Sequence, residues 1–356
     1  MKSIVTNQYS IHFNSACYDE LNTYLQHSYF SKIFVLVDNN THEFCYPHFI
    51  AKIETNLIIE IIEIETGEIH KTIETCVGVW SALSELNADR KSLIINLGGG
   101  VVTDLGGFVA STYKRGIKYI NVPTSLLAMV DASVGGKTGV DLDTLKNQVG
   151  VINTAQMILV DTHFLKTLPQ NELQSGFAEM LKHGLIHSET YWDTLKGYVL
   201  QSSLKYLDIL IYESIIIKQN IVNLDPLEDN LRKTLNFGHT LGHAIESYYL
   251  SNVDKPSLLH GEAIAVGMVL AAYISKELLH FPNEKCLEIK TILAKTFDKV
   301  EIIEDDYKPI IELLKHDKKN EHGNINFVLL NAIGEPKINC LVDNDTIIKS
   351  LRYYSN

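Results

Sequence analysis

Hydrophobic positions follow two rhythms along the chain. Over the first 160 or so residues, short β-rich runs alternate with helical patterns. KIFVLVD (32–38), NLIIEIIEI (56–64), SLIINLGGG (92–100), KYINVP (118–123) and AQMILVD (155–161) predict strands, and the stretches around 70–88 and 101–114 predict helices. That alternation is the grammar of an open α/β sheet. From about Leu168 the texture changes to long helical periodicities, over roughly 170–187, 202–224, 230–250, 260–280 and 284–297. Only GNINFVLLNAIGEPKINCLV, with Gly334 at its turn, predicts a β-hairpin. The pattern divides the chain into an α/β half, 1–165, and a mostly α-helical half, 166–356.

One polar pattern stands out inside the helical half. In RKTLNFGHTLGHAIE (232–246), Arg232, Asn236, His239, His243 and Glu246 recur at offsets of four, seven, eleven and fourteen. On one α-helix they share an arc of roughly 80°. A solvated stripe is built mostly from Lys and Glu, whereas this one carries two His and an Asn. Leu235, Phe237, Leu241, Ala244 and Ile245 cover much of the rest of the circumference. A polar stripe on an otherwise buried helix needs something to bind.

Composition narrows what that something is. The 356 residues are 46% hydrophobic and 21% charged, as in a folded globular protein with room for two cores. The formal net charge of -12 argues against nucleic acid or an anionic membrane surface, both of which select a basic face. An anionic small molecule remains open if basic residues gather locally. MKSIVTNQYSIHFN lacks the basic start and apolar run of a secretory signal, and Glu60, Glu63 and Glu65 interrupt the most apolar early segment. The expectation is a cytoplasmic protein. Five dispersed cysteines without a Cys-x-x-Cys pair fit buried thiols, so a metal here would need His and carboxylate ligands.

Four further segments carry candidate chemistry. IINLGGGVVTDLGG places three glycines between a strand and a helix, where backbone N–H groups can approach a pyrophosphate. The spacing is not G-x-G-x-x-G, and a tight turn without ligand is the alternative. Asp38, ending the first clear strand, suits a ribose hydroxyl of an NAD-type cofactor or, equally, a loop cap. ASVGGKTGVD contains Gly-Lys-Thr but has Asp131 where a P-loop needs its first glycine. It is then a glycine-rich loop presenting Asp131, Lys137, Lys146 and Asn147, with lysines suited to an anion. QSGFAEMLKHGLI sets Glu179, Lys182 and His183 on one face of an apolar helix, and LLHGEAIAVGM places His260 and Glu262 at a predicted helix start. Two His and one carboxylate leave positions open on Zn²⁺, as catalysis requires. By spacing alone, His239 and His243 form the ligand pair. The absence of a Glu in His-Thr-Leu-Gly-His argues against a zinc protease.

Taken together, GGGVVTDLGGFVASTYKRG, VPTSLLAMVDASVGGKTGVD, KNQVG, GFAEMLKHGLI, LNFGHTLGHAIE and LHGEAIAVGM closely resemble sequence blocks of the 3-dehydroquinate synthase family, over a span from Asp38 to HDKKN. The resemblance implies a Rossmann-like NAD domain, a helical metal-binding domain, a site in the cleft between them, and a homodimer. The ligands it implies for Zn²⁺ or Co²⁺ are Glu179, His239 and His260, with His243 on the phosphate side of the substrate instead. Toward NAD it points to Asp38 and Asn40 near the adenosine ribose, Glu68 and Lys71, and Gly98, Gly99, Gly100 and Asp104 by the pyrophosphate. Thr124, Ser125, Lys146, Thr167, Leu168 and Glu172 complete that lining. Toward the substrate it points to Asp131, Lys137, Asn147, Lys182, Lys218, Glu228, Arg232, Asn236 and His243, to Lys318 or Lys319, and to Arg115 reaching a neighbouring subunit. LDPLEDNLR keeps Asp225 and Glu228 but carries Pro226, Leu227, Asp229 and Asn230 where the family has an acidic run followed by small residues.

The activity so implied converts 3-deoxy-D-arabino-heptulosonate 7-phosphate to 3-dehydroquinate and phosphate. NAD⁺ takes a hydride from C5 of a metal-held diol, the new ketone acidifies the C6 proton, phosphate leaves, the hydride returns, and the opened ring closes by an aldol step. NAD is regenerated in each turnover. The rivals are another sugar phosphate cyclase, whose substrate would offer no carboxylate to Arg232 and Lys137, a metal-dependent polyol dehydrogenase, which would accumulate NADH, and a non-catalytic binding scaffold.

Overall fold

In the computed structural model, which describes residues 1–143, 145–198, 206–314 and 325–356, the chain separates into two units, Met1–Pro169 and Gln170–Asn356. The first contains strands β1 (Ile4–Val5), β2 (Ser10–Phe13), β3 (Ile33–Asp38), β4 (Ile59–Ile64), β5 (Leu93–Gly98), β6 (Lys118–Pro123), β7 (Lys137–Leu142), β8 (Leu145–Ile152) and β9 (Met157–Val160). Its helices are α1 (Ser15–His27), α2 (Asn39–Phe44), α3 (Tyr46–Ile50), α4 (Ile73–Glu85) and α5 (Gly100–Thr112). The five expected strands and two expected helices all form.

Seven strands make one sheet in the order β1-β2-β9-β6-β5-β3-β4, parallel throughout except for β1. β3 and β5 are buried along nearly their whole length, as central parallel strands covered on both faces must be. β4, at the edge, alternates instead, turning Ile62 and Ile64 inward and Ile61 and Glu63 outward. The chain leaves β3 toward β4 on one side and returns as β5 on the other. Ligands bind open α/β sheets outside the carboxyl ends at such a reversal. Those ends are Asp38 of β3, Gly98 of β5 and Pro123 of β6, the last two paired in register.

One expectation in this unit is corrected. ASVGGKTGVD does not run on as a loop: Lys137 opens β7, while Lys146 and Asn147 lie on β8, an antiparallel hairpin of its own. Strand alternation was hidden there by the glycines.

The second unit comprises α6 (Gln170–His187), α7 (Glu189–Lys196), α8 (Leu207–Leu224), α9 (His239–Ser251), α10 (His260–Leu279), α11 (Asn283–Thr296), α12 (Glu304–Leu313), the hairpin β10 (Asn326–Ala332) and β11 (Glu335–Leu341), and α13 (Asn344–Ser355). α10 is apolar around most of its circumference and buried accordingly, from Ala263 through Ala272. Val266, Leu270 and Ile274 of α10 pack with Leu241 and Ile245 of α9, Ile310 of α12, Phe327 and Leu329 of β10, and Ile347 and Leu351 of α13. Each such side chain contributes about 1.5–3 kcal/mol through burial.

The helix expected over 230–250 is broken. Leu231–Asn236 form a 3₁₀ turn, Gly238 takes a left-handed φ of 79°, and α9 begins only at His239. The cause is tertiary: a Cβ on Gly267 of α10 would lie 1.9 Å from the Gly238 carbonyl oxygen, so the bend rests directly against α10. Arg232 and Asn236 therefore do not share one helical face with His239, His243 and Glu246.

Candidate active site

Three helices of the second unit meet where small residues let their backbones touch. Besides Gly267 against Gly238, a Cβ on Gly261 would fall 2.2 Å from the Ser175 carbonyl oxygen, and the Gly261 N–H donates to Ser175 Oγ at 2.9 Å. α10 is thereby held against both α6 and α9. Glu179 on α6 is fully buried, and its Oε1 lies 3.5 Å from His239 Nε2 and 3.6 Å from His260 Nε2.

The far side of each imidazole is engaged. His239 Nδ1 donates to the Phe237 carbonyl at 3.2 Å, and His260 Nδ1 lies 3.2 Å from Glu246 Oε2. Both Nε2 atoms thus face the Glu179 carboxylate with Nδ1 already held, which is how metal-ligating histidines are oriented. Two imidazoles and a carboxylate fit a catalytic Zn²⁺ or Co²⁺. Burial pulls the His260 pKa down, but Glu246 and Glu179 outweigh it and push it up to about 10, so this carboxylate-rich spot demands a positive charge. His243 borders the same spot, with its ring centroid 5.1 Å from that of His239 and 5.6 Å from that of His260.

Further basic and polar candidates lie on the same unit. Lys182, one turn after Glu179, is buried and ion-paired with it, and Lys218 of α8 is buried as well. His183, also buried, has its Nδ1 2.7 Å from Ser214 Oγ of α8, and one of its ring nitrogens lies within 4.8 Å of a Glu179 carboxylate oxygen. Arg232 is 2% exposed and donates from Nη1 to the Pro226 carbonyl at 2.7 Å. Asp225 organises the unusual LDPLEDNLR segment by accepting the N–H groups of Asp229, Asn230 and Arg232 at 3.0, 2.7 and 2.9 Å. Glu228, at a left-handed φ of 66°, accepts from Asn236 Nδ2 at 2.9 Å. Glu172 lies in the first turn of α6. Lys318 and Lys319 lie outside the described residues.

In the first unit, a second cluster forms beside the glycine turn. Lys71, 4% exposed, donates from Nζ to Asp104 Oδ2 and to Asn147 Oδ1, both at 2.7 Å. Lys146 Nζ donates to Glu68 Oε1 at 2.7 Å. Burial raises the Asp104 carboxyl above its ordinary value despite Lys71, and the surrounding carboxylates raise Lys71 against its own burial. Gly98 ends β5, Gly99 precedes α5 and Gly100 opens it, while the Thr124 N–H donates to the Gly98 carbonyl at 3.0 Å. A Cβ on Gly99 would come 3.3 Å from Ser125 Oγ. Asp131 sits in the π-helical turn Ala128–Ala132, and Arg115 is exposed in the turn after α5. Thr167 and Leu168 close the unit.

Asp38 takes the cap role: its Oδ1 accepts from the Thr41 N–H at 2.8 Å at the start of α2, where Asn40 is exposed. One carboxylate oxygen is engaged there. Sequence reasoning missed Asp141 altogether. Its buried carboxylate accepts the Asn147 N–H at 2.6 Å, its own N–H donates to the Lys71 carbonyl at 2.9 Å, and Lys146 Nζ lies 3.8 Å away. Asn147 is held there at a left-handed φ of 51°. Nothing in the spacing of GVDLDTLKNQVG distinguishes Asp141 from Asp143 until the hairpin pairs.

Comparison with known proteins gives a consistent result over nearly the whole chain. Residues 61–175 match the family model for the 3-dehydroquinate synthase N-terminal region, and residues 176–320 match that for its C-terminal region. The 3-dehydroquinate synthase of Parabacteroides distasonis is 42% identical over 336 residues, 94% of either chain. Among solved structures, a 2-deoxy-scyllo-inosose synthase complexed with carbaglucose-6-phosphate, NAD⁺ and Co²⁺ superposes with a TM-score of 0.84 at 25% identity, covering 99% of both chains. A 2-epi-5-epi-valiolone synthase from Streptomyces hygroscopicus, with NAD⁺ and Zn²⁺ bound, has the same fold, with a TM-score of 0.84 at 22% identity over 100% of this chain and 99% of that one.

Proposed function

Because the chain belongs to the 3-dehydroquinate synthase family, we propose that it converts 3-deoxy-D-arabino-heptulosonate 7-phosphate to 3-dehydroquinate and phosphate with no net redox change. The observation that carries this reading is the convergence of Glu179, His239 and His260 from three helices, with both Nδ1 atoms engaged. When bound, a divalent cation on these three would supply Lewis acidity to a sugar hydroxyl, and NAD a reversible hydride store.

The chain's own residues do the rest. Lys137, Lys182, Lys218 and Arg232, with Asn147 and a lysine of the pair Lys318 and Lys319, bind the phosphate and carboxylate, and their fixed charges stabilise the anion that develops as phosphate departs. Asn236 and Glu228, already hydrogen-bonded to each other, orient hydroxyls. A ring nitrogen of His243 and a carboxylate oxygen of Asp131 take up and return protons. For NAD, the carboxyl ends of β3, β5 and β6 favour Asp38 and Asn40 at the ribose, Gly98, Gly99, Gly100 and Asp104 at the pyrophosphate, and Glu68, Lys71, Thr124, Ser125, Lys146, Thr167, Leu168 and Glu172 around them.

We further infer a cytoplasmic homodimer in which Arg115 reaches the neighbouring site. Its support is the turn after α5, where Lys114, Arg115 and Gly116 all take positive φ (49°, 66° and 107°) and hold an exposed guanidinium. At Lys114 and Arg115, which unlike Gly116 carry a Cβ, that conformation is strained and persists where the surroundings impose it. No helix among the described residues is long and apolar enough to cross a membrane.

The test is phosphate release from the heptulosonate phosphate with NAD present, while NADH absorbance is followed. Release abolished by a chelator, restored by Zn²⁺ or Co²⁺ and unaccompanied by NADH accumulation is the expected result. Steady NADH formation on a polyol without phosphate release would assign a dehydrogenase instead.

A further inference from the structure

We propose that Glu246 is a positioning residue of the cation centre, fixing the tautomer and ring orientation of His260. The inference rests on the ligand set proposed above. Glu246 is 6% exposed and lies on α9, seven residues after His239. Its Oε2 is 3.2 Å from His260 Nδ1. An ionised carboxylate only accepts, so Nδ1 keeps its proton, and Nε2, 3.6 Å from Glu179 Oε1, is the nitrogen that gives up its proton when a cation binds.

The two histidines differ in how much help they need. His239 opens α9 with its side chain 8% exposed and finds its acceptor two residues away, in the Phe237 carbonyl. His260 opens α10 with its side chain 23% exposed, and its Nδ1 is met by a side chain from another helix. α9 therefore supplies one ligand and the support of another. Gly267 against Gly238, which sets the approach of α9 to α10, also sets the reach of Glu246 to His260.

The experiment titrates Co²⁺ alone into the metal-stripped full chain against a competing chromophoric chelator. Glu246→Gln, which conserves shape and can still accept from Nδ1, is expected to bind Co²⁺ about fivefold more weakly, because a neutral acceptor replaces a charged one. Glu246→Ala is expected to lose roughly 10–100-fold and to change the ligand-field absorption of the bound cobalt. Native affinity and a native cobalt spectrum in Glu246→Gln, with circular dichroism unchanged, overturn the proposal even where Glu179→Gln and His239→Ala have lost the metal, and the centre itself then stands. Native affinity in Glu179→Gln and His239→Ala removes the centre and this inference with it.

Discussion

Glu179 Oε1 and His239 Nε2 lie 3.5 Å apart on α6 and α9, and α10 joins them by touching both helices backbone to backbone. A carboxylate and an imidazole this close, in fully and largely buried positions, suit the shared cation proposed above. Replacing Glu179 by Gln or His239 by Ala is expected to lower kcat/KM for phosphate release by about a thousandfold, the equivalent of several kcal/mol of lost Lewis-acid stabilisation. Steady-state kinetics at saturating Co²⁺ check this.

The helix contact that builds the centre is itself testable. Gly267→Ala inserts a Cβ 1.9 Å from the Gly238 oxygen, so α9 and α10 must part. The expected cost is about 1–3 kcal/mol of stability, as for other overpacked cores, together with weakened metal binding. Leu270→Ala, in the same helix but facing the apolar core, is expected to cost about 2–5 kcal/mol while leaving metal affinity closer to native. Urea denaturation and cobalt titration of the pair separate the two effects.

In the first unit, Lys71→Met strands the Asp104 carboxylate beside Glu68 and Asp141. Breaking a buried pair from one side costs about 3–5 kcal/mol. The expected phenotype is a lower thermal midpoint and a raised KM for NAD. Asp141→Asn is expected to raise KM with less effect on the midpoint, since the amide still accepts from the Asn147 N–H.

How much of this was legible in the residues differs by element. The β3 and β5 runs declared themselves because strands buried on both faces are apolar throughout. The β7 and β8 hairpin did not, because glycines and polar residues occupy much of it. Period alone placed Arg232 and Asn236 on the helix of His239; what breaks that helix is the pressure of Gly267 on Gly238, a long-range contact that no local pattern contains. Glu179 could be suspected from its apolar neighbours, yet its meeting with His260 depends on Gly261 fitting against Ser175. Asp141 carries no local mark of its role.

Asp225 gives a pH-dependent prediction. Burial raises its carboxyl, and the N–H bonds from Arg232, Asn230 and Asp229 outweigh that and hold it below the ordinary value. A folded-state pKa below the unfolded one gives stability that is present above the unfolded value, about pH 4, and lost as pH falls through the folded value. Asp225→Asn is therefore expected to melt below the native protein at neutral pH, with the gap closing below about pH 4. Thermal melts across that range read it directly.

The most direct measurement is anomalous diffraction at the cobalt edge from crystals of the metal-stripped chain soaked with Co²⁺. The expected map has a single strong peak bonded to Glu179, His239 and His260. A peak elsewhere, or one lacking any of these three ligands, contradicts the assignment.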